Sequence, residues 1–395
     1  LVMVVMHAVA CLLVWRIGRR IFDDQQVGMV AAATAWVVSP AIIWWSTKTR
    51  GFYGSGVVIA MVVVLVVVRL TSRPPDPDED RRDLIAVGVA TGLAWWITPI
   101  TLFVVVPAVA AGLVLRRDLW TRLWVPVGPF LLGSLPWWIY NLRNGFASLD
   151  QPPASVESTF VGRLDGFVGQ LIPMLLGFRR IFSADWYGGV VGQIAAVVVI
   201  GGLVVAAFRF RHRSWIPLAV LVGYPVVAAV ASATHYVEEP RYGYLLAPMV
   251  ALVAAGVAAF DRRVLVALPV VVLALTSLGV SGLLETTEND RYNLVLDPPE
   301  IAPLEAELAA LGIDHAFSEY WLSYRITAQT DVEVTPIVFV RNFDLYDEVV
   351  ASGTNAYVFY LDSEIAWDYK FNLGYDDIAY ETIELGEFEV VVTER

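Results

Sequence analysis

The chain has 395 residues, 57% of them apolar and only 17% charged, whereas a soluble globular chain is roughly 45–50% apolar and about 25% charged. Apolar runs of roughly 15–20 residues recur through the first 282 positions, which excludes a soluble protein and reads as a polytopic membrane protein. The net charge of −12 repels nucleic acid and excludes it as a partner.

Charge is unevenly spread. Residues 1–282 hold 22 basic against 15 acidic side chains, a balance of +7, and residues 283–395 hold 5 against 24, a balance of −19. The break near Ser281–Glu285 divides a helical membrane domain, 1–282, from an acidic domain, 283–395. The lone Cys11 lies in an apolar run, so no disulfide framework exists. Leu1 opens directly in apolar sequence without a basic n-region, so a cleavable signal peptide is not expected; a chain cut from a longer one is.

Ten helices are predicted, over 1–15, 27–45, 54–70, 84–98, 99–115, 124–140, 189–208, 214–232, 245–260 and 264–282. Flanking Lys and Arg set orientation. One alternating set of loops, "RIGRR", "RLTSRPPDPDEDRRD", "LRRDLWTR", "RFRHR" and "DRR", holds 15 basic residues, and the opposite set holds 7. The first set is therefore read as cytoplasmic. The pairs Trp44–Trp45, Trp95–Trp96 and Trp137–Trp138 all fall at predicted outer ends, where Trp prefers the headgroup zone. Within 84–115, Pro99 in "WWITPIT" predicts a tight hairpin of two short helices.

This topology sends four segments outside: the turn "STKTRGFYG", the loop 141–188, the stretch around His235–Tyr244, and the tail 283–395. In the loop, "FVGQLIPMLLGF" is too short to cross and reads as interfacial or re-entrant. The tail alternates helix-like stretches ("PLEAELAALG", "NFDLYDEVVASG") with strand-like ones ("VEVTPIVFV", "AYVFYL", "FEVVVT"), a small extracytoplasmic α/β domain.

Candidate chemistry clusters in the outer segments. In "HYVEEPRYGYLLAP", Glu238 or Glu239 reads as acid, base or metal ligand, and Arg241, beside Tyr242, as a phosphate holder through its planar fork of donors. The plain alternative is a solvated loop in which a carboxylate neutralises Arg241. Lys48 and Arg50 run against the positive-inside trend, which an anionic lipid-linked partner explains, as does snorkelling. Tyr53 either stacks on a sugar or anchors the interface. Arg179, Arg180, Asp185 and Trp186 form a mixture suited to sugar or lipid contact, or an ordinary aromatic belt. "DPDED" at 76–80 has a metal-binding spacing but reads as a solvated turn among arginines. The four histidines lack zinc spacing. No cofactor is fixed by these residues; a divalent metal is compatible with the carboxylates.

"GRRIFDDQQVGMVAAATAWVVSPAIIWWSTKTRGFY", "GLAWWITPITLFVVVPA", "LPWWIYNLRNGFASL" and "PRYGYLLAPMVALVAAG" resemble stretches of bacterial GT-C membrane glycosyltransferases of the mannosyltransferase and aminoarabinose-transferase kind. "LGIDHAFSEYWLSYRITAQTDVEV" is similar to a segment after their last helix. The resemblance implies transfer of a sugar from a polyprenyl-phosphate donor to an acceptor hydroxyl on a glycan, lipid or protein at the outer face of the plasma membrane. Lys48, Arg50, Arg241 and Tyr242 would meet the donor phosphate. The family's principal Asp or Glu lies in a first outer loop that would precede Leu1. The sequence is therefore expected to be an N-terminally truncated form, inactive alone, with Glu238 and Glu239 the carboxylates left to contribute. Two other classes stay open: a lipid or polysaccharide transporter, and a membrane-anchored glycan-binding protein whose tail aromatics (Tyr320, Trp321, Tyr324, Trp367, Tyr369) either bind sugar or fill the domain core.

Overall fold

The apolar run at the N-terminus continues as helix α1 (Val2–Phe22) past Arg16, Arg19 and Arg20, so "RIGRR" is the last turns of a helix rather than a loop. Arg is a good helix former, and cations favour a helix C-terminus. The computed structural model describes residues 2–38, 51–149, 159–180, 185–209, 211–231, 243–287, 299–337 and 342–394. They fall in two compact units, Leu1–Leu283 and Leu284–Arg395.

In the first unit α1 turns at Asp24, whose side chain caps Gln26 and Val27, into α2 (Gln25–Val37). Helix α3 (Gly51–Thr71) follows. Helix α4 (Pro77–Ile97) starts seven residues before the predicted 84. Asp76 accepts from the backbone N–H groups of Asp78 and Glu79 at 3.0 Å, and Pro77 sits at the first helical position, a strong N-terminal signal.

The reading of "DPDED" as a solvated turn is thereby overturned. Asp80 and Asp83 are on α4 and fully buried. Arg73 donates to Asp80 at 3.0 Å and to Asp83 at 2.7 Å. Arg69 pairs with Asp83. Arg116, at the end of helix α5 (Leu102–Leu115), reaches Asp80 at 2.7 Å and the Leu70 carbonyl at 2.7 Å. Three guanidinium groups arriving from different elements make this burial tolerable, because each charge is paired and hydrogen-bonded.

A break falls at Thr98–Pro99, where Thr98 is extended and a short 3-10 turn spans Pro99–Thr101. The expected hairpin of two helices forms: Arg116 at the end of α5 returns to Asp80 in the first turn of α4, and Leu84 clusters with Leu119. Helix α4 packs on α3 and on α6 (Val127–Gly133), whereas α5 packs on α3 and on α11 (Arg211–Val230). At the α4–α6 crossing a Cβ on Gly92 would lie 2.3 Å from the Phe130 carbonyl oxygen, so only small residues permit this approach. The single helix predicted over 124–140 is two, α6 and α7 (Leu135–Arg143), meeting at Ser134.

The segment read as interfacial or re-entrant is helical, with one side buried against protein and Val168 exposed on the other. Helix α8 (Phe160–Gly166) runs through a π turn (Phe167–Leu171) into α9 (Ile172–Leu175), and Phe167, Leu171, Met174 and Leu175 are buried. Helices α10 (Val190–Arg209), α11, α12 (Ala247–Ala258) and α13 (Arg262–Thr287) complete the unit. Ten of the twelve residues of α12 are buried, which makes it a central helix of the bundle.

Among the described residues, three stretches, Val2–Phe22, Phe52–Thr71 and Arg262–Ser281, are long and apolar enough to cross a membrane, and four further apolar helices are shorter. The expected ten spans are therefore not reproduced as ten full-length helices.

The second unit is built on a five-stranded sheet of order β2-β1-β3-β5-β4. Strands β1 (His315–Ser318), β2 (Glu333–Pro336) and β3 (Ala356–Tyr360) are parallel, and β4 (Tyr380–Leu385) and β5 (Phe388–Thr393) add antiparallel. Leu304 and Leu308 of α14 (Ala302–Ala310), with Leu322 and Ile326 of α15 (Tyr320–Gln329), pack with Val334, Val358 and Val390. The opposite core joins Ala366 and Leu373 of α17 (Glu364–Tyr375) to Phe359 and Val391. Tyr346 of α16 (Phe343–Ser352) meets Phe317, which stacks on Tyr357, and Tyr357 meets Tyr369 of α17. Beside this series Lys370 pairs at 2.7 Å with Glu389, which is 1% exposed. The small α/β domain expected from the tail is present, although β1, β4, α15 and α17 are not marked by the sequence pattern.

Candidate functional site

Two of the segments that the sequence reading places outside meet through their tyrosines. Tyr53 lies on the first turn of α3, three residues after Arg50. Tyr244 begins the 3-10 turn Tyr244–Leu246 that enters α12, three residues after Arg241. Their rings sit edge-to-face with centroids 5.0 Å apart, and the residues are 3% and 2% exposed. Lys48, Arg50, Glu238, Glu239, Arg241 and Tyr242 themselves lie outside the described residues, as does His235.

The Tyr244 hydroxyl is buried without a hydrogen-bond partner among the described residues. A methyl group on Gly56 would stand 3.2 Å from it, beside Thr98 and Thr101. Leaving a buried hydroxyl unsatisfied costs roughly 1–3 kcal/mol, so this group marks a place where a polar partner has something to gain. Tyr244 was not chosen from the sequence; its position directly after Arg241, Tyr242 and Gly243 was the available signal.

Gly243 makes the next connection. A Cβ there would lie 2.4 Å from Leu171 Cδ2 and 2.8 Å from Leu175 Cδ1, so the turn presses on the α8–α9 segment. Leu175 and Leu246 in turn line an open apolar cavity of about 400 Å³, together with Leu176, Trp215, Leu218 and Val253. Small-molecule sites are roughly 300–1,000 Å³, and a lining this apolar suits hydrocarbon. No sequence signal foretold this cavity, because its walls come from α9, α10, α11 and α12.

The remaining predicted residues sit just beyond α9. Arg179 and Trp186 form an antiparallel bridge, and the Arg180 N–H donates to the Asp185 carbonyl at 2.8 Å. The Arg179 guanidinium stands 4.9 Å from the Trp186 ring centre and Arg180 5.5 Å from that of Tyr187, contacts worth about 0.5–1 kcal/mol at exposed sites. Arg179 also donates to the Gly169 carbonyl at 3.1 Å, and the Tyr187 hydroxyl to the Gly279 carbonyl at 3.2 Å. These side chains form a bound cluster with one another, while Asp185 is exposed. Leu171 and Leu175 thus border the Tyr53–Tyr244 turn, and the arginine–aromatic cluster follows them in the chain.

Among the described residues no group of three or more His, Cys, Asp or Glu is placed to hold a metal ion.

No protein-family model matches the chain, and a comparison with curated proteins finds no match. Solved structures do share its fold. ArnT from Cupriavidus metallidurans bound to undecaprenyl phosphate aligns with a TM-score of 0.59 at 13% identity, over 99% of this chain and 83% of ArnT. The apo state of the same protein aligns at 0.60 and 13%, over 99% and 82%. At this identity the likeness establishes the fold alone: an ArnT-like, mostly helical architecture with a small C-terminal sheet.

Proposed function

We propose that this protein is a membrane glycosyltransferase that takes a sugar from a polyprenyl-phosphate carrier and passes it to an acceptor hydroxyl at the outer face of the plasma membrane, with residues 284–395 also outside. The observation that carries this reading is the apolar cavity lined by Leu246, two residues beyond Tyr244, whose buried hydroxyl has no partner among the described residues, and five beyond Arg241. A carrier with an anionic head and a long hydrocarbon tail has the shape to satisfy both. The fold supports it as well, since ArnT has been solved with undecaprenyl phosphate.

In this reading the tail fills the cavity, and Lys48, Arg50 and Arg241, with Tyr242, face the phosphate. The acceptor oxygen bonds to the anomeric carbon as the bond from that carbon to the phosphate oxygen breaks. The electron pair leaves on the phosphate, where fixed cationic donors stabilise the growing charge. The acceptor proton passes to a carboxylate, for which Glu238 or Glu239 is the candidate. Arg179, Arg180, Asp185 and Trp186, along the rim beyond α9, face the sugar or the lipid headgroup. The carboxylates leave room for a divalent metal, and the donor sugar's identity is left to experiment.

The test is sugar transfer by the full-length protein reconstituted in liposomes from a radiolabelled polyprenyl-phosphate sugar. Removing one preorganised donor at a developing oxyanion costs about 10²–10³-fold in rate. Arg241→Ala should therefore lose about 10²-fold in transfer with normal expression. Undiminished transfer by that variant removes the phosphate assignment.

A further inference from the structure

Helix α17 has one face in the core of the second unit, through Ala366 and Leu373, with Tyr369 against Tyr357 and Lys370 against Glu389. Its opposite face carries Trp367, Phe371 and Tyr375, which are 60%, 59% and 82% exposed. These residues stand four apart, so they form a row along one side of the helix. The Trp367 and Phe371 rings are nearly parallel, at 17° and 5.3 Å between centroids. Immediately beside them runs a second row at the same spacing, Asp368, Asn372 and Asp376, also exposed. The core does not need these aromatics, and exposed apolar patches of this kind mark interaction sites.

Charge selects the occupant. Residues 283–395 hold 24 acidic side chains against 5 basic, which turns away nucleic acid and anionic polymers. Helices that lie on bilayers flank their aromatic face with Lys and Arg, whereas this one is flanked by Asp, Asn and Asp. Helix-in-groove partners offer apolar anchors at helical spacing, but the exposed row on α17 is purely aromatic, with polar acceptors alongside. The rows repeat every four residues, about 6 Å along the helix, comparable with the length of one pyranose ring. Sugar rings have apolar C–H faces that rest on aromatic rings and an edge of hydroxyl or amine donors that carboxylates and amides accept.

We propose that this face of α17 is a saccharide-binding platform for a neutral or amine-bearing glycan chain. Trp367, Phe371 and Tyr375 supply the stacking surface, and Asp368, Asn372 and Asp376 take the hydrogen bonds and any amine charge. The platform stands on the geometry of α17 and does not depend on sugar transfer. If both hold, it is a docking surface for a glycan acceptor.

Calorimetric titration of the full-length protein in phosphatidylcholine nanodiscs tests this, using chitohexaose and its fully de-N-acetylated counterpart. Both should bind, the amine form several-fold more tightly. Trp367→Ala and Phe371→Ala should each weaken binding at least about tenfold, or about 1.4 kcal/mol, with Tm unchanged because both side chains are exposed. Asp368→Asn should diminish the preference for the amine form. Absence of binding by either saccharide, or equal binding by a Trp367→Ala/Phe371→Ala double variant of normal Tm, overturns the proposal. Trp367-dependent binding of a hexa-arginine peptide with no response to either saccharide overturns it too, in favour of a basic polypeptide. Because no transfer is read, a failure here is distinct from a failure of the transferase reading.

Discussion

The ring edge of Tyr53 packs against the ring of Tyr244 at 5.0 Å between centroids, and this contact brings together the chain just after Arg50 and the chain just after Arg241. The two tyrosines thus tie two segments distant in sequence to one spot in the helical unit. Because the Tyr244 hydroxyl is buried without a partner among the described residues, Tyr244→Phe removes a group that contributes no bond to the resting fold. Its Tm should stay the same or rise. Tyr244→Ala removes the ring itself and should cost about 3 kcal/mol or more, as large-to-small changes in packed sites do. Thermal unfolding of both variants in detergent checks the pair. A phenylalanine variant as unstable as the alanine one would show that the hydroxyl is structurally bonded.

The buried carboxylates of α4 give a second prediction. Asp80→Ala takes one of their carboxylate partners from Arg73 and the buried Arg116, which keep Asp83 and Asp118, and buried donors left unsatisfied cost roughly 1–3 kcal/mol. Asp78→Ala, at an exposed position two residues earlier, should change stability by no more than about 0.5 kcal/mol. Unfolding midpoints of the two variants should therefore separate clearly.

That contrast also shows what one sequence can disclose. Asp76, Asp78 and Asp80 are the same residue type within five positions, yet one caps a helix, one is solvated and one is buried. The burial of Asp80 is set by Arg73 nearby and by Arg116 arriving from the end of α5, and the second of these no local pattern encodes. Apolar length was legible, and so was the break at Pro99, because both act locally. Helix ends were placed less well where arginines continue the helix, as at Arg16–Arg20. In the second unit β1 is only His315–Ser318, too short for alternation to register. Trp367 and Tyr369 looked equivalent in sequence, and only the face of α17 on which each falls separates a solvent-facing ring from a packed one. Tyr53 and Tyr244 were not legible as neighbours, and the apolar cavity lined by Leu175, Leu218 and Leu246 was not legible at all.

A third prediction concerns Lys370 and Glu389. Lys370→Ala leaves the Glu389 carboxylate, 1% exposed, without its 2.7 Å partner, and should destabilise the second unit by about 3 kcal/mol or more. The double variant Lys370→Met/Glu389→Leu should recover most of that loss, because replacing both partners by apolar groups removes the desolvation cost. Differential scanning calorimetry should resolve the two. A double variant no better than the single one would contradict the account of this pair.

Filling the cavity tests the lipid-tail assignment by function. Leu218→Trp adds bulk to the cavity wall and should raise KM for a long-chain polyprenyl-phosphate donor several-fold. A donor analogue with a short tail should be affected much less, since it needs less of the 400 Å³ space. Equal effects on both donors would place the tail elsewhere.

The most direct measurement is cross-linking with an undecaprenyl-phosphate probe carrying a diazirine in its tail, followed by mass spectrometry of the labelled peptides. The account predicts labels on the peptides that hold Leu175, Leu218 and Leu246, competed away by unlabelled carrier and weakened by Arg241→Ala. Labelling confined to other helices, or labelling at the cavity that neither competitor nor Arg241→Ala alters, would contradict it.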